Sequence, residues 1–235
     1  MKAMIVIPTY NESDNLEKII GQILEVKPGF YITVVDDNSP DGTGQIADRL
    51  AQANPRIQVI HRAGKLGLGT AYLEGFKFAL AQGMDYIFEM DADFSHHPQY
   101  LLDMLDKIQD CDLVLGSRYL RGVRVNNWAF RRLLMSKMAN LYVQFAGKLP
   151  IEDSTGGFKC FRRKVLEAIN LDRIHTDGYG FQIEMTYLAY KKGFKIEEIP
   201  IIFYERQGGY SKMSRHIVFE AFWLVLKLRL GLIRN

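Results

Sequence analysis

Residues 3–37 read AMIVIPTYNESDNLEKIIGQILEVKPGFYITVVDD. Two short apolar runs, residues 3–8 and 31–37, are typical of strands that are buried on both faces. The apolar residues between these runs recur at helical spacing: Leu16, Ile19, Ile20, Ile23 and Leu24. The stretch therefore predicts a strand, a helix and a second strand, which is the building unit of a parallel sheet.

The same alternation continues as far as residue 117. Apolar runs predict strands at residues 57–61, 86–90 and 113–116, and helical spacing predicts helices at residues 15–26, 43–53, 69–82 and 98–109. Repeated strand–helix units with short connections predict an α/β fold, with a mainly parallel sheet and helices on both faces. Such sheets bind ligands at the carboxyl ends of their strands, so the functional site is expected there.

The pattern changes after residue 117. We predict helices at residues 127–146, 178–192 and 214–233, and a strand at residues 196–204 that is interrupted by Pro200. Neither an internal repeat nor a low-complexity linker separates this part from the first. We therefore predict a single domain over residues 1–235, in which residues 118–235 complete the body begun by residues 1–117.

Composition excludes several classes of protein. The 235 residues are 48% hydrophobic and 24% charged, with a net charge of +3, which disfavours a disordered chain and a strongly basic nucleic-acid binder. Cys111 and Cys160 form no CxxC pair, so neither a disulfide framework nor a structural zinc site is expected. The first residues do not resemble a signal peptide, and residues 217–233 contain too many charges for a spanning helix. We expect a cytoplasmic location.

The sharpest local feature is EMDADFSHHP at residues 89–98, directly after an apolar run. Residues two apart in an extended segment point the same way, so Asp91 and Asp93 place both carboxylates on one side of a strand end. Such oxygen ligands suit Mg²⁺ or Mn²⁺, whose other positions are filled by water and substrate phosphates. The alternative is a solvated acidic turn that caps a helix. In either case Asp93 is expected at the surface, with little part in the core.

Polar residues also follow the first two predicted strands, as PTYNE (residues 8–12) and VVDDNSPDGT (residues 34–43). Each alone could be a capping turn. In a parallel sheet, however, both lie beside the acidic strand end, where Tyr10, Glu12 and Asp37 supply an aromatic face and carboxylates. This combination suits a nucleoside diphosphate.

A glycine-rich turn, GKLGLGT at residues 64–70, adds the cation Lys65. It matches neither the dinucleotide fingerprint nor the P-loop fingerprint.

No acidic residue lies between Asp112 and Glu152, although this segment contains several basic ones. A run of this kind is usually a solvated face. If residues 127–146 are helical, Arg132, Ser136 and Asn140 share one face, which could hold an anion. An apolar stripe forms on another face: Phe130, Leu133, Leu134, Leu141 and Phe145.

At this point the sequence resembles the family-two glycosyltransferases of the GT-A fold, and among them the dolichyl- or polyprenyl-phosphate mannose synthases. The matching segments extend from residue 8 to residue 212. They are PTYNE (8–12), VVDDNSPDGT (34–43), GKLGLGTAY (64–72), MDADFSHHP (90–98), GSRY (116–119), DSTGGFKCFRR (153–163), GYGFQIEM (178–185) and the segment 206–212. The sequence departs from the usual pattern at Phe94 and Met138, where leucine and glycine are common.

The resemblance implies a GT-A domain that transfers mannose, with inversion, from GDP-mannose to a polyprenyl phosphate. Residues 1–117 would bind the nucleotide sugar and residues 118–235 the acceptor. The implied donor-binding residues are Pro8, Tyr10, Glu12, Val35, Asp37, Lys65, Asp91, Ala92, Asp93, Arg206 and Lys212. Asp91 and Asp93 would hold Mg²⁺ or Mn²⁺. Arg118, Arg206 and Lys212 would neutralise phosphates, and Arg132 and Ser136 would face the acceptor phosphate.

Two other functions remain open from the sequence. One is transfer of glucose or N-acetylglucosamine from a UDP-sugar to the same kind of acceptor. The other is a catalytically silent protein that binds nucleotide sugars through the same pocket. The presence of both acidic residues of the DxD motif and of all the matching cations favours an enzyme.

The acceptor lies in a bilayer, so the chain is expected to work at the cytosolic face of a membrane, either directly or through a membrane partner subunit. The terminal segment, residues 217–233, combines aromatic and aliphatic residues with Lys227 and Arg229, which suits a membrane surface. A core helix that packs on the sheet fits the same pattern. The sequence alone does not separate these two predictions.

Overall fold

The computed structural model describes residues 1–205 and the backbone of residues 215–232, with side chains from residue 222 onward in that last segment. Within these residues the strands are β1 (Ala3–Thr9), β2 (Tyr31–Asp36), β3 (Ile57–His61), β4 (Tyr86–Glu89), β5 (Leu113–Ser117), β6 (Lys159–Arg162) and β7 (Ile196–Pro200). The α-helices are α1 (Leu16–Val26), α2 (Thr43–Ala53), α3 (Leu68–Ala81), α4 (Tyr100–Lys107), α5 (Phe130–Gly147), α6 (Arg163–Ala168), α7 (Gly178–Lys191) and α8 (Arg215–Arg229).

The strands of the described residues form one sheet in the order β3-β2-β1-β4-β6-β5-β7. The pairs β1–β2, β1–β4, β2–β3 and β5–β7 are parallel, which confirms the predicted α/β fold. Strand β6 is antiparallel to both β4 and β5 and was not predicted. Its four residues place only Cys160 and Phe161 between basic residues, too short an apolar run to read as a strand.

The predicted strand at residues 196–204 is wrong in its second half. Strand β7 ends at Pro200, because proline has no N–H to continue the ladder. Beyond it, the N–H of Ile201 still donates to the carbonyl of Ser117 at 3.0 Å, and Phe203 forms an isolated bridge with Val125. This bridge leaves Phe203 buried beside the basic segment that follows β5.

The sheet separates two apolar layers. One contains residues of α1, α2 and α4, such as Leu16 and Met104, and the other contains residues of α3, α7 and α8, such as Phe76 and Phe181. Helix α3 approaches the sheet closely at Gly75, where an added Cβ would lie 2.3 Å from a methyl carbon of Val6. Glycine is therefore needed here, and it brings the side chains of α3 near the end of β4.

Helix α5 packs its polar face against the protein, whereas an ordinary core helix packs its apolar face inward. Its predicted apolar stripe faces outward, with Phe130 and Phe145 exposed by 74% and 79%. Asn140, on the polar face, is buried and donates to Thr155 Oγ1 at 3.1 Å. The sequence correctly predicted the helix and its two faces, but the polar face is the one that packs inward.

Helix α8 packs one side against the core, as one of the two predictions for the terminal segment expects; contact with a membrane stays a prediction. Leu224, Val225 and Leu228 are buried, and the Tyr187 hydroxyl donates to the carbonyl of Leu228 at 3.2 Å. Trp223, on the other side, is exposed. Among the described residues, no helix combines the length and the apolar character that crossing a bilayer requires.

Candidate active site

The carboxyl ends of β2, β1 and β4 lie side by side, as the sequence predicted. Each is followed by a residue other than glycine with positive φ: Asn38 (56°), Asn11 (61°) and Phe94 (60°). The left-handed region is disfavoured for such residues, most of all for a bulky phenylalanine. Backbone strain of this kind is typically found at functional sites and costs about 1–3 kcal/mol per residue.

The first two strand ends form the part of the site predicted to bind the base and ribose. Pro8 and Val35 are register partners in adjacent strands, and Val35 is fully buried. The Lys65 ammonium lies 3.9 Å from the ring centroid of Tyr10, a cation–π contact across the predicted stacking face. Glu12 accepts from the Asn15 amide at 2.9 Å.

Asp37 is held by two donors from the protein. Arg62 Nη1 donates to Oδ1 at 2.5 Å, and the backbone N–H of Leu66 donates to Oδ2 at 3.1 Å. Arg62 also donates to Thr70 Oγ1 at 2.6 Å, which ties the glycine-rich turn to β2. Arg62 was not predicted as a site residue, because in the sequence it only follows the strand predicted at residues 57–61.

Asp91 and Asp93 follow β4, with the buried Ala92 between them. The Tyr72 hydroxyl donates to Asp91 Oδ1 at 2.9 Å, and the N–H of Ser95 donates to Asp93 Oδ1 at 3.0 Å. Asp93 is 6% exposed, so the expectation of a surface carboxylate is wrong.

These carboxylates fit a hard divalent ion. The described residues contain no group of three or more His, Cys, Asp and Glu side chains arranged to hold a metal. Mg²⁺ needs only one or two protein carboxylates when substrate phosphates complete its shell. His96 packs with its ring 4.9 Å from that of Phe158, which gives it a structural role.

Tyr72 is fully buried in α3. Burial, and then the charge of Asp91, raises the pKa of Tyr72 well above its ordinary value of 10.0. The side chain is therefore a neutral phenol that donates its proton to the carboxylate in a hydrogen bond.

Two buried titratable residues lie on the strands next to the acidic strand end. Glu89 on β4 and Lys159 on β6 are register partners, and both are fully buried. Lys159 donates to the backbone carbonyl of Gln182 at 2.9 Å and also to its side-chain oxygen. Burial raises the pKa of Glu89, which the charge of Lys159 opposes, and burial lowers the pKa of Lys159. Neither of these two buried residues was predicted from the sequence as part of the site.

Arg118 is buried against Asp153, with Nε–Oδ2 and Nη2–Oδ1 distances of 2.7 and 2.6 Å. Nη2 also donates to Thr155 Oγ1 at 2.8 Å. Burial alone would lower the pKa of Arg118, but the charge of Asp153 outweighs it and raises this pKa. The guanidinium is thus already neutralised by the protein, a pairing that was not predicted from the sequence.

Arg132 and Ser136 lie on the inward face of α5. Arg132 Nη1 donates to Glu205 at 3.0 Å, and its guanidinium carbon lies 4.1 Å from a ring centroid of Trp128. Ser136 Oγ accepts from the Tyr119 hydroxyl at 2.7 Å. Both residues line a groove of about 430 Å³, together with Trp128, Leu134, Met135, Met138, Ala139, Tyr142, Val143, Thr155, Tyr179, Ile183 and Phe222.

The groove ends near the acidic strand end. Thr155 lines it, and two residues further on Gly157 lies beside Asp91: a Cβ added to Gly157 would be 3.8 Å from Asp91 Oδ2 and 3.2 Å from Gln182 Nε2. The absence of a side chain at Gly157 therefore leaves room between these polar atoms. Arg206 and Lys212, which were predicted to neutralise phosphates, lie outside the described residues.

The family model for glycosyl transferase family 2 matches residues 4–169. The chain belongs to this family. The predicted family is thereby confirmed. The ends of β1, β2 and β4 lie within the matched region of this glycosyltransferase, whereas the groove residues Tyr179, Ile183 and Phe222 lie beyond it.

Named relatives of this glycosyltransferase match nearly all of its length. It is 47% identical over 226 residues to polyprenol monophosphomannose synthase of Mycolicibacterium smegmatis, covering 95% of this chain and 85% of the relative. It is 42% identical over 243 residues to undecaprenyl-phosphate mannosyltransferase of Micrococcus luteus, covering 99% of this chain and 100% of the relative.

Solved structures support the GT-A fold. Mannosyl-3-phosphoglycerate synthase from Rubrobacter xylanophilus superposes with a TM-score of 0.73 at 18% identity, covering 100% of this chain and 76% of that one. Glucosyl-3-phosphoglycerate synthase from Mycobacterium tuberculosis, in complex with Mn²⁺, UDP and phosphoglyceric acid, superposes with a TM-score of 0.68 at 17% identity. The match covers 98% of this chain and 78% of that one. At these identities the likeness is one of fold.

Proposed function

We propose that this glycosyltransferase transfers mannose from GDP-mannose to a polyprenyl phosphate and inverts the configuration at the anomeric carbon. The observation that carries the proposal is the match of 42–47% identity, over 95% or more of the chain, to relatives named for mannosyl transfer to prenyl phosphates. The site residues named from the sequence remain predictions.

The groove beneath α5 supports a prenyl-phosphate acceptor. Its lining combines apolar side chains, including the exposed Leu134 and Met138, with the polar side chains of Arg132, Ser136 and Thr155. Gly157, two residues after Thr155, lies beside Asp91. A lipid phosphate has the same combination of an apolar chain and a charged head.

Asp91 and Asp93 are the residues that would hold Mg²⁺ or Mn²⁺. A bound divalent ion stabilises the negative charge that develops on the leaving diphosphate. Within this chain, Tyr72 and the N–H of Ser95 hold one oxygen of each carboxylate, so the pair is oriented before the substrate arrives. Tyr10, Lys65 and Asp37 would orient the base and ribose.

The acceptor needs positioning more than deprotonation. A phosphate monoester has a second pKa near ~6 and is largely dianionic at neutral pH, so its oxygen is already a nucleophile. Arg132 would direct this oxygen towards the anomeric carbon and compensate part of its charge. In this scheme Arg118 acts through Thr155 and Asp153, because its own charge is already paired.

We further propose that the chain attaches to the cytosolic face of a membrane through an apolar surface, formed by Phe130, Leu134, Met138, Leu141 and Phe145 of α5 with Phe222, Trp223 and Leu230 of α8 and its end. All of these side chains are exposed by 37% or more. Exposed apolar patches of this kind mark membrane or protein interaction sites. Lys227 and Arg229, exposed nearby, would meet anionic headgroups.

The test is a transfer assay with the full chain, Mn²⁺ and undecaprenyl phosphate in detergent. We expect a mannosylated lipid and free GDP from GDP-mannose, and no product from UDP-glucose or UDP-N-acetylglucosamine. Product from a UDP-sugar alone would establish the alternative donor. Nucleotide-sugar binding without product from any donor would establish a silent binding protein.

A further inference from the structure

We propose that Tyr72 is a positioning residue for Asp91, and that its hydroxyl sets the orientation in which this carboxylate meets a divalent ion. The inference rests on the metal site of the proposed function. Tyr72 is fully buried and lies on α3, outside the strand ends that carry the predicted metal ligands. Its hydroxyl reaches Asp91 Oδ1 at 2.9 Å.

The position of the Tyr72 ring is fixed from two sides. The ring is parallel to that of Phe181 on α7, with an interplanar angle of 1° and centroids 5.9 Å apart, and it also stacks on Phe76 at 6.0 Å. Gly69 permits this approach of α3 to α7, because an added Cβ there would lie 2.6 Å from the carbonyl of Thr176 and 3.1 Å from Phe181. The hydroxyl is therefore carried by a ring that has little room to move.

The hydrogen bond from Tyr72 holds Oδ1 of the Asp91 carboxylate. With Oδ1 tied to Tyr72, Asp91 Oδ2 lies towards the side of Gly157 that lacks a Cβ, 3.8 Å from where that atom would be. Mutation of a group that hydrogen-bonds to a metal ligand typically lowers metal affinity by about 10–100-fold. Tyr72 would do for Asp91 what the backbone N–H of Ser95 does for Asp93.

The experiment measures Mn²⁺ affinity by electron paramagnetic resonance of the free ion, with GDP present, in the wild type, Tyr72→Phe and Tyr187→Phe. Tyr187→Phe is the matched control, because this tyrosine is also buried and donates to a backbone carbonyl, that of Leu228, at 3.2 Å. We expect Tyr72→Phe to weaken Mn²⁺ binding by about tenfold. Tyr187→Phe should leave Mn²⁺ binding unchanged, although it should lower the melting temperature by about as much as Tyr72→Phe does.

A second pair of variants tests whether Tyr72 acts through Asp91. In an Asp91→Ala background, Tyr72→Phe should cause no further loss of Mn²⁺ affinity, because the partner of the hydroxyl is gone. An additional tenfold loss there would overturn the proposal. So would unchanged Mn²⁺ affinity in the single Tyr72→Phe variant when the wild type binds the ion. If the wild type itself binds no Mn²⁺, the metal site of the proposed function fails, and the role of Tyr72 fails with it.

Discussion

Arg118 and Asp153 form a bidentate ion pair in which both side chains are 5% exposed or less. The N–H of Arg118 donates to the same carboxylate at 2.9 Å. The pair joins the end of β5 to the loop before β6, beside the groove. Arg118, which the resemblance implies as a phosphate ligand, therefore also holds two segments of the chain together beside the groove.

Asp153→Asn is expected to destabilise the protein by about 3–5 kcal/mol, because it leaves the buried charge of Arg118 without a counter-charge. Urea unfolding followed by circular dichroism measures this loss. The control is Glu17→Gln, which breaks an exposed arginine pair with Arg49 and should cost less than about 1 kcal/mol. Equal losses in the two variants would contradict the importance of the buried pair.

The same pair predicts a dependence of stability on pH. Burial opposes ionisation of Asp153, but Arg118 outweighs it and lowers the pKa of Asp153 in the folded state. The stabilisation is therefore fully present above the unfolded-state pKa of about 3.9 and is lost as the pH falls through the lower folded-state value. The slope of unfolding free energy against pH below about 4 should be smaller in Asp153→Asn than in the wild type.

Asp93→Asn is expected to abolish metal-dependent transfer while the protein stays folded. Asparagine is preferred to alanine here because Asp93 is buried and its Oδ1 accepts from Ser95, an interaction that an amide oxygen retains. Initial rates with and without EDTA, together with the melting temperature, provide the measurement. Wild-type rates in the variant, or wild-type activity that EDTA leaves unchanged, would show that Asp93 holds no essential metal.

Arg132→Ala is expected to impair use of the acceptor rather than the donor. Loss of a hydrogen bond to a charged group is worth about 1.5–3 kcal/mol, so we expect the kcat/KM for polyprenyl phosphate to fall by about 10-fold or more. GDP-mannose binding, measured by calorimetry, should change little. The neighbouring exposed Arg131, which does not line the groove, supplies the control Arg131→Ala. Equal losses in donor and acceptor assays would exclude an acceptor-specific role.

Phe145→Asp is expected to weaken sedimentation with anionic liposomes by about tenfold or more, since burying a phenylalanine side chain is worth about 1.5–3 kcal/mol. Phe145 is 79% exposed, so stability should not change. Leu102→Asp, at an exposed leucine of α4, is the control. If both variants sediment like the wild type, the exposed face of α5 does not contact the membrane.

The sequence by itself determined the α/β fold and predicted that the proposed donor-binding residues lie at one edge of the sheet. Strand and helix patterns are local, and parallel strands place their carboxyl ends at one edge, so Tyr10, Asp37 and Asp91 could be brought together without a structure. The family followed from motifs that lie at these ends.

Only the tertiary structure decided which residues pair across the chain. Tyr72 meets Asp91, and Arg118 meets Asp153 35 residues away, because helix α3 approaches the sheet at Gly75 and β6 enters it antiparallel. Neither arrangement leaves a periodic signal in the sequence. The orientation of α5 was also undecided, since an amphipathic pattern defines two faces but not which one packs inward. Here that choice depends on polar partners for Asn140 and Ser136, which lie outside the helix.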